Sequence, residues 1–487
     1  MKQKAIIIGS GLGGLSTAVV LAKNGYDVTV LEQQAQAGGC LQCFTRQGAM
    51  FETGMHYVGS AAPGQTLDRL LRYLEVRDSI ELQQLDPTGY DVIGLSGEQF
   101  RFATGREAFI DTLAARFPSE RDGLNRYYDL IESVANASSL HSLRHAERTD
   151  MVDSESQLRA VDNVVASVIR DPLLQKVLVG NLPLYAGVRG QTPFATHAFI
   201  MDFYNQSAYR FVGGSGTVAE ALIRTLQRYG GEVITRCHVE EIICDDSHAT
   251  GVRSSDGRVF PADVVISDAH PAITASLLHT PLIRRSFRER IAAIPQTTGG
   301  FSVYLKFRKD TMPYMNHNYF GYDYGTPWDC ERYDATSWPK GFLYMHFCNT
   351  PGQRYADTGV VLSYMNYADV APWADTTVGH RGADYEAFKQ QHADRLLDAL
   401  ERHMPGTRRC IERVYTSTPL TYRDYTGTIE GGMYGIAKDI HAGAAYRVSH
   451  RLRVPNVLQT GQNINSHGML GVLVGTIVTC SSSSLSS

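Results

Sequence analysis

The chain has 487 residues, 43% hydrophobic and 20% charged, which is material for two or three cored domains and excludes a disordered chain. Lysine and arginine number 46 against 50 acidic residues, a net charge of −4 with no single-sign block, which excludes a protein held to nucleic acid by bulk charge. Eight scattered cysteines do not make a disulfide scaffold in a chain this long and predict reduced thiols in a cytoplasmic setting.

The first element, Lys4 to Ile8, is apolar and β-branched and predicts a buried parallel strand. Its apolar run stops at Gly9 and is too short for a signal-peptide core. Gly9-Ser10-Gly11-Leu12-Gly13-Gly14 follows, then a helical stretch from Leu15 to Ala22 and a second strand from Asp27 to Glu32 that ends on an acid. This is G-x-G-x-x-G with a strand before it, a helix after it and a carboxylate about twenty residues on, the arrangement of a dinucleotide site. Gly9 permits the tight turn, Gly11 lets the backbone approach a diphosphate, and Gly14 lets the helix pack on the strand. Ser10, Leu12 and Gly13 complete the loop, and the helix N-terminus offers N–H groups and a positive dipole end to the anion. Glu32 is placed to accept hydrogen bonds from ribose hydroxyls, with Gln33 beside it, and its charge disfavours a 2′-phosphate.

A second glycine pair, Gly38-Gly39, stands six and seven positions past Glu32 and is followed by Cys40. That extension resembles the FAD fingerprint of the glutathione-reductase-like superfamily, where the extra loop folds back along the dinucleotide. Many members carry arginine where Cys40 stands. The resemblance implies non-covalent FAD, with Gly38, Gly39 and Cys40 among its contacts. The loop Thr53-Gly54-Met55-His56 comes next and is expected at the flavin.

Further along, residues 105–205 are expected to be helical. Residues 231–235, 239–243, 250–253 and 263–267 read as short strands, with Asp256-Gly257 as a hairpin turn. In the superfamily this segment returns the chain to the nucleotide domain, and the residue at Val239 meets the adenine through its backbone. Phe301–Phe307 and Val360–Tyr367 have strand composition, and Tyr385–His403 spaces its apolar residues as a helix does. Aromatic residues are dense between Tyr304 and Trp373; they would line an apolar tunnel or simply pack the sheet. Near the end, Asn456–Gln459 is a strand running into Gly461-Gln462. A helix from about Leu470, with Gly471 and Val472, would aim its positive end at the flavin pyrimidine. The apolar stretch Gly468–Cys480 is shorter than the roughly 20 residues a spanning helix needs. The serine-rich tail Ser481–Ser487 is expected to fray.

The stretches Gly38–Phe44, Phe51–Gly59, Gly213–Gly216, Arg381–Glu386, Thr418–Thr421 and Gly461-Gln462 fall along the whole chain. Together they resemble the retinol saturase and carotenoid isomerase branch of the phytoene-desaturase-like flavoenzymes. Glu52 departs from the pattern, where the retinol saturases have aspartate, and residues 330–350 align with nothing firm. The resemblance implies an α/β Rossmann FAD domain of the glutathione-reductase type, assembled from 1–75, 205–290 and 412–487. An inserted α+β substrate domain of antiparallel sheet and helices would take 76–204 and 291–411. The implied activity is FAD-dependent reduction of carbon–carbon double bonds in an apolar polyene or isoprenoid-like lipid. Desaturation, or isomerisation on reduced flavin, is the alternative within the branch. An amine-oxidase-like enzyme and a non-catalytic, flavin-stabilised lipid carrier are the alternatives outside it.

His56 is the first candidate for a proton relay and His467 the second. Tyr422, Asp424 and Tyr425 precede a glycine-rich turn near the expected ring. Cys40 and Cys43 make C-x-x-C, but dithiol flavoreductases space the pair wider and carry a second nucleotide domain, so neither a redox dithiol nor a metal site is expected. No second strand–G-x-G-x-x-G–helix unit is present in the sequence, so a nicotinamide donor has no dedicated pocket and a separate electron donor is expected. A lipid substrate also implies docking at a membrane surface.

Overall fold

A computed structural model describes residues 2–138 and 154–482. Five short strands form an entirely parallel sheet in the spatial order Glu232–Ile234, Asp27–Leu31, Lys4–Ile8, Val264–Ser267, Val457–Gln459. Numbered along the chain this is 3-2-1-4-5, and the order reverses between Lys4–Ile8 and Val264–Ser267. The crevice beyond the carboxyl ends of those two strands is where doubly wound sheets bind ligands. Helices Leu12–Lys23, Gly216–Arg228 and Gly468–Cys480 cover one face, packing Leu15, Val19, Val218, Leu222 and Leu473 into one apolar core. A sheet covered on both faces needs apolar residues at every position, which is why Ala5–Ile8 carries no alternation.

The strands expected at 231–235 and 263–267 belong to this parallel sheet. The antiparallel meander is instead Val239–Cys244, Ala249–Ser254 and Val259–Pro261, closed by the turn at Asp256-Gly257. The short strand Val259–Pro261, among charged and polar neighbours, was not legible in the sequence.

The second large sheet has seven strands, ordered Ile411–Ser417, Gly299–Phe307, Thr358–Met365, Gly341–Phe347, Asn318–Tyr322, Asp91–Leu95, Glu98–Phe102. It differs from the expected antiparallel sheet over about 298–370 in three ways. Asp91–Phe102 contributes a hairpin, the pairing of Asp91–Leu95 with Asn318–Tyr322 is parallel, and Ile411–Ser417 forms the far edge. The expected boundary at 412 therefore falls inside a strand. Tyr304, Phe320, Leu343 and Leu362 face helices Arg106–Ala114, Arg121–Ala137, Val161–Val168, Pro172–Leu178 and Phe194–Gln206. Phe301, Val303, Phe342 and Tyr344 face the long helix Ala383–His403 on the other side. Every residue of Gly341–Phe347 is buried, each large apolar side chain contributing about 1.5–3 kcal/mol. The dense aromatics of 304–373 are thus mostly sheet packing.

The helical expectation for 105–205 holds at the five helices named; its stretch 139–153 lies outside the described residues. So do Ser483–Ser487 of the tail expected to fray, whereas Ser482 is buried. Among the described residues, no helix is long and apolar enough to cross a membrane.

Candidate active site

The glycine loop is built by close approach. A Cβ on Gly14 would lie 2.1 Å from the Gly9 carbonyl, so only glycine lets the helix start directly over the strand. The Gly38-Gly39 pair folds back onto this loop: the Gly38 N–H donates to the Ser10 carbonyl at 3.1 Å, and a Cβ on Gly39 would stand 3.0 Å from the Gly11 Cα. A Cβ on Gly54 would meet the Cys40 carbonyl at 2.9 Å, and one on Gly13 would meet the Gly461 Cα at 2.8 Å. Four glycine segments far apart in sequence therefore meet at one place, beyond the switch point of the parallel sheet.

Glu32 is buried at the end of its strand. Its Oε2 accepts from the Ser10 N–H at 3.0 Å and the Ser10 hydroxyl at 2.5 Å, and its Oε1 accepts from the Gln34 N–H at 2.7 Å. Oε2 thus has both lone pairs engaged, while Oε1 keeps one for a further donor. The Cys237 N–H donates to the Glu32 carbonyl at 2.8 Å, and His238 Nδ1 meets Gln33 Oε1 at 2.9 Å. Gln33 and Val239 are thus brought to the same end of the crevice as Glu32. Leu12 and Val472 were expected at the cofactor, but both side chains are buried in the apolar core. Only their backbone faces remain for a ligand.

Beyond the loops lies a cavity of about 640 Å³. Cys40, Gly54, Met55, His56, Gln462, His467, Leu470 and Gly471 all line it, so the expected ring-end residues converge. The opposite wall comes from Phe199, Ile200 and Tyr204 of helix Phe194–Gln206, Leu343 and Leu362 of the large sheet, and Met433 and Tyr434. Apart from the two leucines, the 304–373 segment that was expected to line a tunnel is absent from this wall.

His56 is half-buried, its Nδ1 is enclosed and lacks a partner, and desolvation beside the Arg210 guanidinium holds its pKa down at about 4. At neutral pH the imidazole is uncharged. His467 precedes the helix Gly468–Cys480, lies tilted at 41° against Tyr434 with ring centroids 4.6 Å apart, and has Nε2 3.3 Å from the Leu184 carbonyl. Burial lowers its pKa to about 4 as well. Tyr422 lines the cavity but donates its hydroxyl to the Thr53 carbonyl at 3.0 Å. Asp424 and Tyr425 do not join the site: Asp424 pairs with Arg381 and Arg423, and Tyr425 is 44% exposed.

Burial raises the Cys40 thiol to about 11, and burial with the Glu52 carboxylate alongside raises Cys43 further, so neither is a ready thiolate. Glu52, the departure from the family pattern, accepts from the Ser215 N–H and, at 2.8 Å, from its hydroxyl. It thereby ties the flavin-side loop to the helix Gly216–Arg228. Burial lifts its pKa to about 7 despite those donors.

Residues of the site not singled out by sequence include Asp268, Tyr434 and Lys438. Asp268 follows the strand Val264–Ser267 and places its carboxylate at the switch point. A Cβ on Gly11 or on Gly13 would lie 2.4 Å from one of its oxygens, and the N–H groups of Gly11 and Gly14 face it. Burial, with Glu32 nearby, raises its pKa to about 7. Its position directly after a buried strand was the available signal. Tyr434 sits in Gly431-Gly432-Met433-Tyr434-Gly435, where flanking glycines mark a chain held against something. Lys438 carried no signal at all.

The comparisons with known proteins agree with this geometry. The family described as flavin containing amine oxidoreductase matches residues 12–474. The chain is 30% identical to the all-trans-retinol 13,14-reductase of Rattus norvegicus, over 99% of this chain and 86% of that one. It is 25% identical to the chloroplastic prolycopene isomerase 2 of an Oncidium hybrid cultivar, over 88% of this chain and 75% of that one. A solved oxidoreductase from Methanosarcina mazei has the same fold, with a TM-score of 0.67 at 16% identity, covering 98% of this chain and 100% of that one. The family match runs from the cradle helix into the C-terminal helix, through both sheets and the cavity between them: the chain belongs to the flavin-containing amine oxidoreductases and is a flavin-dependent oxidoreductase.

Proposed function

We propose that the chain holds FAD non-covalently and saturates carbon–carbon double bonds of an apolar polyene or isoprenoid-like lipid. The carrying observation is the cavity. One wall is the glycine-built loops Gly54–His56 and Gly468–Gly471, and the facing wall is aliphatic and aromatic. On that facing wall a polyene buries its length at about 25 cal/mol per Å² of apolar surface. The rat relative named for retinol reduction supports the reading; the relative named for prolycopene isomerisation supports isomerisation as the second reading.

Support for a dinucleotide is the cradle: bare backbone at Gly11 and Gly13 where a diphosphate must approach, and a free lone pair on Glu32 Oε1 for a ribose hydroxyl. Support for non-covalent attachment is Cys40, a cavity thiol kept protonated by burial and by Asp268. When bound, a flavin supplies hydride transfer at its N5. The protein's part is then orientation, dryness and a proton. Tyr434 donates to the Pro183 carbonyl at 2.7 Å and Tyr204 to the Tyr57 carbonyl at 3.3 Å, so their hydroxyls are tethered and their rings form wall. His56 lines the cavity and is the residue assigned to hand a proton to the alkene carbon opposite the hydride.

Leu158 lines the cavity while 61% exposed, an apolar lip suited to docking on the bilayer that stores a polyene. Electrons would come from a separate donor. The test is anaerobic incubation of the chemically reduced holoenzyme with all-trans-retinol and mass analysis of the lipid. A product two hydrogens heavier is expected; unchanged mass with altered double-bond geometry would support the isomerase reading, and unaltered lipid would refute both.

A further inference from the structure

Lys438 stands on the wall of the cavity, and burial lowers the pKa of its ammonium with no carboxylate opposing the shift. Among the described residues no hydrogen bond or ion pair reaches it, and it is not among the residues with further partners. The neighbouring Asp439 also lines the cavity, and its carboxylate accepts the His441 N–H at 2.8 Å with no ion pair to Lys438. The Lys438 charge is felt instead by His467, whose pKa it depresses. An uncompensated ammonium in apolar surroundings is costly and is relieved by losing its proton or gaining an anion.

The segment carrying Lys438 rests on the substrate side of the cavity. The Ile440 N–H donates to the Gln191 carbonyl at 2.8 Å, and His441 Nε2 meets the Gly190 carbonyl at 3.1 Å. The His467 ring beside it reaches toward Leu184 of the same region. Phe199, Ile200, Leu343, Leu362 and Met433 make the rest of that wall apolar. Arg447 also lines the cavity but is exposed, so Lys438 is the more deeply set cation of a largely hydrophobic cavity, which suits a ligand with one anionic end and a hydrocarbon body.

We propose that Lys438 is the docking position for a carboxylate at one terminus of an otherwise apolar substrate. The inference rests on the polyene reading of the cavity and names the polar end of that substrate. It predicts selection for polyene acids over the matching alcohols.

The test is equilibrium binding of all-trans-retinoate and all-trans-retinol to the oxidised holoenzyme near neutral pH, followed by fluorescence. The acid is expected to bind at least about tenfold more tightly than the alcohol, the effect of one desolvated charge pair. Lys438→Met should collapse that ratio toward unity, and Lys438→Arg should retain most of it. Circular dichroism and flavin content establish that each variant is folded and loaded. An unchanged ratio in Lys438→Met overturns the proposal. So does a lowered flavin midpoint potential with an unchanged ratio, which would assign the ammonium to the anionic reduced flavin. If the alcohol binds and is reduced while the acid binds no more tightly, only this inference fails. If neither polyene binds, the polyene reading fails with it.

Discussion

The two ends of the crevice are made differently. At the dinucleotide end, position is set by backbone: Gly9, Gly11, Gly14, Gly39 and Gly461 approach one another so closely that several sites have no room for a Cβ. At the ring end, position is set by side chains from helix Phe194–Gln206, two sheet strands and the 433–438 segment, none adjacent in sequence. The first is a local constraint with few solutions. The second is a surface that many side-chain sets can satisfy, so it can change substrate without changing fold.

The comparison breaks most visibly at Gly11. A valine there has to displace the Asp268 carboxylate and fill the diphosphate approach, so Gly11→Val should purify folded and colourless. Full flavin content in that variant would contradict the cradle. Released cofactor from the wild type should be FAD on chromatography, not FMN.

At the ring end, His56→Ala should keep its flavin yet slow substrate reduction about 10²–10⁴-fold. Because the His56 pKa is about 4, the charged acid form is a minor species at pH 7. The wild-type rate should therefore rise as pH falls toward that value, and the variant should lose this dependence. Identical profiles would make His56 structural.

Asp268 sharpens the comparison at the dinucleotide end. Its carboxylate and a diphosphate face the same N–H groups of Gly11 and Gly14, with Glu32 and Cys40 as the titratable neighbours. With a pKa of about 7, Asp268 is neutral below that pH and charged above it. FAD affinity measured by titration should be flat below about pH 7 and fall up to about tenfold per unit above it. Asp268→Asn should bind with no such fall; a retained fall would place the linkage elsewhere. The raised value has the same sign for folding: from 3.8 unfolded to about 7 folded, stability is full below about 4 and is lost as pH rises through 7.

The smallest expected effect is at Glu52. Glu52→Gln keeps an acceptor for Ser215 while removing a buried carboxyl whose pKa is about 7. Thermal melts should change by about 1 kcal/mol or less at pH 5, where the native group is neutral, and the variant should gain on the wild type as pH rises from about 5 to 7, with no further gain above that.

What the sequence made legible follows the same division. The strand–glycine–helix unit and Glu32 could be read directly, because steric demands at Gly11 and Gly14 admit one residue type. The strand Glu232–Ile234 was found but misassigned to the meander, since three residues do not say which edge they pair with. His56 and His467 were reachable because each lies beside a glycine-marked loop. Tyr204, Tyr434 and Lys438 were not, because tertiary packing alone brings them to the cavity. The aromatics of 304–373 misled because a doubly covered sheet and a tunnel wall call for the same residues.

The most direct measurement of the central claim is anaerobic stopped-flow mixing of the reduced holoenzyme with a polyene. Oxidised-flavin absorbance should return in proportion to double bonds saturated, and a separate electron donor should reduce the flavin faster than NADPH does. Flavin that stays reduced in the presence of bound polyene, with the lipid unaltered, would contradict that claim.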